Sequence, residues 1–313
     1  AAAYAGAELG KKHLITSRSE HPSVIGPVER LVSDYGFRCT WLSPDKNGEI
    51  TSTQVLEALE EDTALVALMG ANNETGNMHP VYELGHLLDD KGVHFHVDCV
   101  QLLGKDHVDV QKMRASTAVF SGHKIYGPKG IGALYAHKSF RLRSFIVGGH
   151  QERERRAGTE PVPLIASFGV AAELAASEVQ EYKQKMSALR DMLWRGIQTQ
   201  IPGANRNGDV SSDRSIANTL NVSFDDTEGE TILISLDLMG VSLSSGSACT
   251  AGSLEPSHVL LAMGLSKARA RAAVRFSLTK DCTEGDIQRV LDVLPSIIMD
   301  VRQADPSAQL QQI

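Results

Sequence analysis

Residues 63–71 read TALVALMGA and contain no charge. A run this short and this apolar is the signature of a strand covered on both faces, and such strands sit in parallel sheets flanked by helices. The residues that follow, NNETG, are abruptly polar. In parallel α/β sheets ligands collect at the carboxyl ends of strands. The switch at residue 72 therefore marks the edge on which a site is expected.

The neighbouring segments keep the same rhythm. HLITS (13–17), RCTWLS, VHFHVDCVQ, STAVFSGH and GIGALYAHK read as strands. Between them, SVIGPVERLVSDYG places Val24, Val28, Leu31 and Val32 on one helical face, STQVLEALEED opens on a Ser or Thr cap, and VYELGHLLDDKG ends at Gly92. Alternation of this kind predicts an α/β fold with a mostly parallel sheet and helices on both faces. Near residue 160 the pattern changes. A long helix is expected over about 162 to 199, then strand NTLNVSF (218–224), a helix from Glu228, and the strand-like segments GVSLSSGSAC and ARAAVRFSL. A last helix opens with Thr283 and Asp286, carries the stripe Ile287, Val290, Leu291 and Leu294, and is expected to kink at Pro295. This second part reads as a smaller α+β domain. The first residues, AAAYAGAELG, lack a Met and resemble the tail of a helix, so a preceding segment is expected to be missing.

Composition narrows the function classes. The chain has 313 residues, 42% hydrophobic and 22% charged, with a net charge of −7. That balance describes a globular protein able to bury a sizeable core. It disfavours binding to a nucleic-acid backbone, and the nearest basic stretch, ERERRAG, mixes signs. No apolar run approaches the length of a membrane span. Cys39, Cys99, Cys249 and Cys282 form no C-x-x-C pair, so a zinc ribbon or thioredoxin-like site is not expected, and a reducing cytoplasmic setting is.

Polar clusters close three of the strands: ANNETG, HVDCVQ and SGHKIYGPKG. They offer Asn73, Asp98, Gln101, Ser121, His123 and Lys124 along one rim. Lys124, between Ser-Gly-His and a Gly-Pro turn, reads either as a solvated loop lysine or as a Schiff-base lysine. The latter requires desolvation or neighbouring cations to lower its pKa. Pyridoxal phosphate would also need an acid facing its ring nitrogen, a role open to Asp98, and phosphate donors, open to Ser121 and His123. His94, His96 and Asp98 alternate along one strand and point to one face. They read either as packed histidines or as ligands of zinc or another transition metal. Cys99 faces the other way, as a small core residue. Arg275, inside the apolar strand AVRFSL, either pairs with an internal acid or clamps a substrate carboxylate. Cys249, in the Ser- and Gly-rich SSGSACTAGSLEPSH, reads as a nucleophile, a metal ligand or an inert loop thiol.

Taken in order and spacing, SEHPSV, ANNETG, HVDCVQ, SGHKIYGPKGIGALY, GGHQERERRAGTE, NTLNVSF, SSGSACTAGSLEPSHVL and RFSL resemble the pyridoxal-phosphate-dependent cysteine desulfurases. These are class V aminotransferase-like enzymes of fold type I. The long loop around Cys249 resembles the NifS/IscS group. The resemblance spans about residues 1 to 304. It implies a three-layer large domain over 1–177 and a small C-terminal domain over 178–313 that carries the Cys249 loop. Residue by residue, it makes Lys124 the Schiff-base lysine and proton shuttle, and His21 the imidazole stacked on the cofactor ring. Asp98 becomes the acid at the pyridine nitrogen, and Asn73 and Gln101 lie near the ring hydroxyl. Ser121 and His123 become phosphate ligands, and Thr159 one that reaches the phosphate of a neighbouring subunit. Arg275 becomes the carboxylate clamp, and Cys249 the thiol that receives sulfur as a persulfide. The implied setting is a cytoplasmic homodimer acting on L-cysteine. It supplies sulfur to an acceptor protein such as an iron–sulfur cluster scaffold, with no metal, nucleic acid or membrane involved.

The chain departs from the family at two points. Position 154 is Glu where the family shows a small residue, near the expected subunit boundary. The family's N-terminal phosphate-cradling segment would align ahead of Ala1, so impaired cofactor binding is an open expectation. Three rivals stay open on sequence alone: a selenocysteine or cystine lyase on the same fold, a metal-dependent hydrolase built on His94, His96 and Asp98, and a catalytically impaired fragment.

Overall fold

The computed structural model describes residues 1–209, 214–245 and 255–304. The chain divides into two compact units. The first comprises Ala1–Ser43, Ile50–Asn72 and Met78–Gln180, and the second comprises Pro44–Glu49, Asn73–Asn77 and Glu181–Ile313.

In the first unit the elements are α1 (Ala2–Ala7), β1 (His13–Ser17), α2 (Pro22–Tyr35), β2 (Arg38–Leu42), α3 (Ser52–Glu57) and β3 (Thr63–Met69). There follow α4 (Val81–Asp89), β4 (His94–Asp98), β5 (Thr117–Ser121), β6 (Gly132–Ala136), the single turn α5 (Gln151–Glu154) and the start of α6 (Val162–Gln200). The sheet order is β2-β1-β3-β4-β5-β6. The first five strands are parallel and β6 returns antiparallel to β5. Every residue of β3 is buried, as its continuous apolar run requires of a central strand. Thr51 caps α3 in a reciprocal box with Gln54. Helix α2 buries Val28 and packs Val24 and Leu31 against Leu14, Phe37 and Leu65. Val32, expected on the same stripe, is 39% exposed. The helix lies beside β2, the edge strand of the sheet.

Parallel strands end on one side, so Ser17, Met69, Asp98 and Ser121 share one edge of the sheet. Two glycines let the chain turn tightly there. A Cβ on Gly70 would run into the Leu102 side chain, and one on Gly122 into Ile131.

The second unit holds the end of α6, then β7 (Ala204–Asn207), β8 (Thr219–Phe224), α7 (Gly229–Leu238) and β9 (Ser244–Ser245). The short helices α8 (His258–Ala262) and α9 (Lys267–Arg271), strand β10 (Ala273–Ser277) and helix α10 (Glu284–Ala304) complete it. Its antiparallel sheet runs β7-β8-β10-β9. Val222, Phe224, Val274 and Phe276 pack against Leu193 and Ile197 of α6, Ile232 of α7 and Leu291 and Leu294 of α10. Thr283 and Asp286 cap α10 reciprocally. The expected kink at Pro295 does not end the helix, which continues to Ala304. Ile297, Ile298 and Val301 beyond it are buried in the same core. Their burial, roughly 2 kcal/mol each, outweighs the roughly 3 kcal/mol that an interior proline costs.

Helix α6 corrects one expectation. It contains an 18-residue window with a mean hydropathy of 1.4, enough by composition to cross a membrane, and only 6% of that window is buried. Valine, isoleucine, leucine, phenylalanine and alanine in the first half of the helix raise the average.

Candidate active site

The turn after β1 is fixed to the end of β3. Glu20 is fully buried and accepts a hydrogen bond from the Met69 amide at 2.9 Å. Asn72 Nδ2 donates to the Ser19 carbonyl at 2.9 Å. These bonds place His21 at the strand-end edge, where it caps α2 and its Nδ1 accepts from the Ser23 amide at 3.1 Å. Pro22 follows at the first helical position, where its missing N–H costs nothing.

Asp98 ends the next strand. It is 7% exposed, and its Oδ1 accepts from the Val100 amide at 2.9 Å. Burial pushes its pKa up, while that amide and the charge of His21 pull it down, and burial wins. Glu20 is raised well above the ordinary carboxylate range, first by burial and further by Asp98. This edge therefore holds a buried acid, an imidazole close enough to act on its charge, and a second acid whose pKa burial raises.

The β5 end supplies the cations. Ser121 Oγ and His123 Nδ1 share a hydrogen bond of 2.9 Å. Gly122–Lys124 form a single 3-10 turn, fastened by the Gly122 amide to the Ile131 carbonyl at 3.0 Å. Partial burial lowers the pKa of His123, with smaller contributions from Lys124 and Lys129. Lys124 is exposed at the end of that turn. Gln101, on the turn after β4, meets Lys105 Nζ through its Oε1 at 2.5 Å. The structure thus brings His21, Asp98, Gln101, Ser121, His123 and Lys124 to one edge of one sheet. Thr159 lies in the same unit, exposed, between α5 and α6.

Asn73 and Arg275 belong to the second unit. Arg275, on β10, donates from Nη1 to the Asn73 carbonyl at 2.7 Å. Cys249 lies outside the described residues. Of the other thiols, burial pushes Cys39 and Cys99 up to about 12, and Cys282 Sγ accepts from the Thr279 amide.

The metal reading of the His94–His96–Asp98 face finds no support. His94 packs edge-on against Phe140 at 4.5 Å, and His96 Nδ1 hydrogen-bonds Thr117 Oγ1 at 2.9 Å. Burial drives His96 down to about 4. Among the described residues, no group of three His, Cys, Asp or Glu side chains could hold an ion.

The donor set of the edge fits pyridoxal phosphate. A buried carboxylate suits a protonated ring nitrogen, His21 offers an aromatic face, and the Ser121–His123 pair with Lys124 suits an anionic phosphate and a carbonyl carbon. Known proteins agree with the geometry. The family model described as aminotransferase class-V matches residues 1–290. The chain is 43% identical to a cysteine desulfurase of Nostoc sp. (strain PCC 7120) over 300 residues, covering 96% of this chain and 74% of that one. The chain belongs to the class-V aminotransferase family, among its cysteine desulfurases.

Other members of the family repeat the match. The cysteine desulfurase IscS of Clostridium botulinum (strain Kyoto) is 41% identical over 304 residues, 97% of this chain and 76% of that one. A solved NifS-like protein superposes with a TM-score of 0.86 at 33% identity, covering 95% of this chain and 78% of that one. A structure described as SspA in complex with cysteine gives a TM-score of 0.74 at 37% identity, over 88% and 76% of the two chains. These likenesses make this a fold type I enzyme that uses pyridoxal phosphate, and they favour the desulfurase over its lyase rival.

Two buried acids escaped the sequence reading. Glu20 and Glu74 stand inside SEHPSV and ANNETG, where each looks like one more polar loop residue. The available signal was an acid directly beside a residue already singled out, His21 in one case and Asn73 in the other. Position 154 also gains an explanation. Glu152, Arg153 and Glu154 have φ of 51°, 56° and 63°, the left-handed region in which a small residue is most at ease.

Proposed function

We propose that this chain acts as a cysteine desulfurase through the residues gathered at the sheet edge. They convert L-cysteine to L-alanine and pass the sulfur to Cys249 as a persulfide. The observation that carries the reading is the pairing of a buried acid, Asp98, with His21 at the same strand edge as the Ser121–His123–Lys124 turn.

Pyridoxal phosphate, when bound, supplies a carbonyl for the substrate amine and a ring that accepts the electron pair released at Cα. Lys124 would hold it through Nζ and, once displaced by substrate, carry the Cα proton on that nitrogen. Asp98 would keep a proton on the ring nitrogen, and burial would strengthen that interaction by lowering the local dielectric. His21 would cover the ring face, Ser121 and His123 would hold the phosphate, and the family resemblance assigns Asn73 and Gln101 to the ring hydroxyl. Arg275 takes the substrate carboxylate in a two-pronged grip. The Cys249 thiolate then attacks the substrate sulfur. A sulfur–sulfur bond forms on Cys249 as the bond from Cβ to sulfur breaks, its electron pair stays with the carbon skeleton, Cβ takes up a proton, and alanine leaves.

The working unit in this reading is a cytoplasmic homodimer in which Thr159 reaches the partner's phosphate. Val162, Ile165, Val170 and Leu174, exposed on the first half of α6, supply apolar surface for such a contact. The large domain runs over 1–177 and the small domain over 178–313. The sulfur acceptor is an iron–sulfur cluster scaffold or another carrier protein.

The deciding experiment supplies purified protein with pyridoxal phosphate and L-cysteine. Alanine and persulfide on Cys249 should form together, and Cys249→Ala should abolish persulfide on that residue. Absence of alanine and of any yellow cofactor colour in the wild-type chain would refute the reading.

A further inference from the structure

The ANNETG turn carries a second buried acid that the reaction as described does not use. Glu74 is 2% exposed. Its Oε2 accepts from Ser257 Oγ at 2.5 Å, and its carbonyl accepts from Asn221 Nδ2 at 3.3 Å. Ser257 is in turn the N-cap of α8, with its Oγ accepting from the Leu260 amide at 3.2 Å. The adjacent residue, Asn73, receives Arg275 Nη1 on its carbonyl, and the Arg275 charge acts on Glu74. One short turn thus gives Arg275 a peptide oxygen and places a buried carboxylate next to that oxygen in the chain.

We propose that Glu74 is a positioning residue for substrate binding, held by Ser257, that orients the Arg275 guanidinium to receive the cysteine carboxylate. A guanidinium recognises a carboxylate only in a planar, two-pronged alignment, so a fixed partner on one side decides how well the opposite side fits. The Asn73 carbonyl anchors one nitrogen, and Glu74 supplies the charge that holds the plane. Burial raises Glu74 to about 7, with Ser257 and then Arg275 drawing it back. An acid retained at that desolvation cost is one whose neighbours use it. This inference rests on the reading of Arg275 as the carboxylate clamp.

The test compares Glu74→Gln, Ser257→Ala, the double variant and Arg275→Lys in the full chain loaded with pyridoxal phosphate. The measurements are KM and kcat for L-cysteine, Kd for L-alanine by calorimetry, and Tm. Loss of one oriented, charge-assisted contact should raise KM and the alanine Kd about five- to tenfold in each single variant of the pair, with kcat within about twofold. The double variant should be no worse than either single one, because the two side chains act as a unit. Arg275→Lys should raise KM by at least about tenfold. If Arg275→Lys does so while Glu74→Gln leaves KM and Kd unchanged, the role given to Glu74 is wrong and the clamp stands. If Arg275→Lys leaves KM unchanged, clamp and inference fall together. A fall in kcat and Tm at constant KM would make Glu74 a purely structural acid. Should Glu74→Gln not fold, Ser257→Ala decides alone by the same criteria.

Discussion

Asp98 and Glu74 are both carboxylates that burial pushes upward, yet they sit in different kinds of structure. Asp98 closes a parallel strand, on the edge where five such strands release their last residues. Glu74 lies in a tight turn, enclosed by Ser257, Asn221 and the Arg275 charge. The first acid is offset by one backbone amide and an imidazole, and it faces an edge built for a ligand. The second is offset entirely by its own unit. Equal burial therefore serves two ends. At the open edge it sharpens an interaction with an incoming group, and in the closed turn it fixes a neighbour.

That contrast can be broken experimentally. The largest expected effect is Lys124→Ala, which should lower alanine formation by at least about a thousandfold, because one side chain carries both attachment and proton transfer. The measurement is alanine release together with the visible absorbance of added cofactor, which should no longer resemble the wild type. Next, Asp98→Asn keeps the shape of the strand end and removes the charge. It should lower kcat by about a hundredfold with KM for cysteine within about threefold. Glu74→Gln should show the mirror image, with KM moved and kcat held. If both variants move the same constant, the distinction between the two acids fails.

The smallest effects are on stability, and the sign differs by group. Glu74 has a folded pKa of about 7, above its unfolded value near 4.5. Its stability contribution is therefore full below pH 4.5 and is lost as pH rises through 7, amounting to about 3 kcal/mol at most. His79 and His96 are held near 4 by burial, below an unfolded value of about 6.5, so their contribution is present above pH 6.5 and lost as pH falls towards 4. Relative to wild type, Glu74→Gln should be more stable at pH 8, and the difference should vanish near pH 4.5. Denaturant unfolding of the two proteins at both pH values checks this. A difference independent of pH would show that Glu74 is ionised equally in the folded and unfolded chains.

Much of this architecture was legible because periodicity reports burial directly. The continuous run at 63–71 specified β3, and the polar residues closing three strands specified the edge. The extent of α6 could be read from its helical pattern. The sequence was less informative where tertiary packing overrides local preference. Pro295 reads as a kink, and the core residues beyond it carry the helix on to Ala304. Val32 reads as buried because periodicity does not know where a sheet ends. Asp98 stood out as an acid ending an apolar strand. Glu20 and Glu74 did not, since acids in polar motifs normally face water, and only the folded backbone shows which amide or hydroxyl they reach. His94 and His96 offered a metal pattern that their neighbours, Phe140 and Thr117, answer with packing and a hydrogen bond.

Helix α6 has 39 residues, about 58 Å at 1.5 Å per residue, and the division between the two compact units falls inside it, between Gln180 and Glu181. Two further short segments, Pro44–Glu49 and Asn73–Asn77, are lent to the second unit from between strands of the first. A protease or a cloning boundary placed at 180 would cut a helix in mid-course and leave Glu74 and its carbonyl neighbour on the wrong fragment. The two units are separable as clusters of contacts but not as lengths of gene. Recombination between relatives that keeps Glu74, Ser257 and Arg275 from one parent must therefore exchange two separate stretches of chain together.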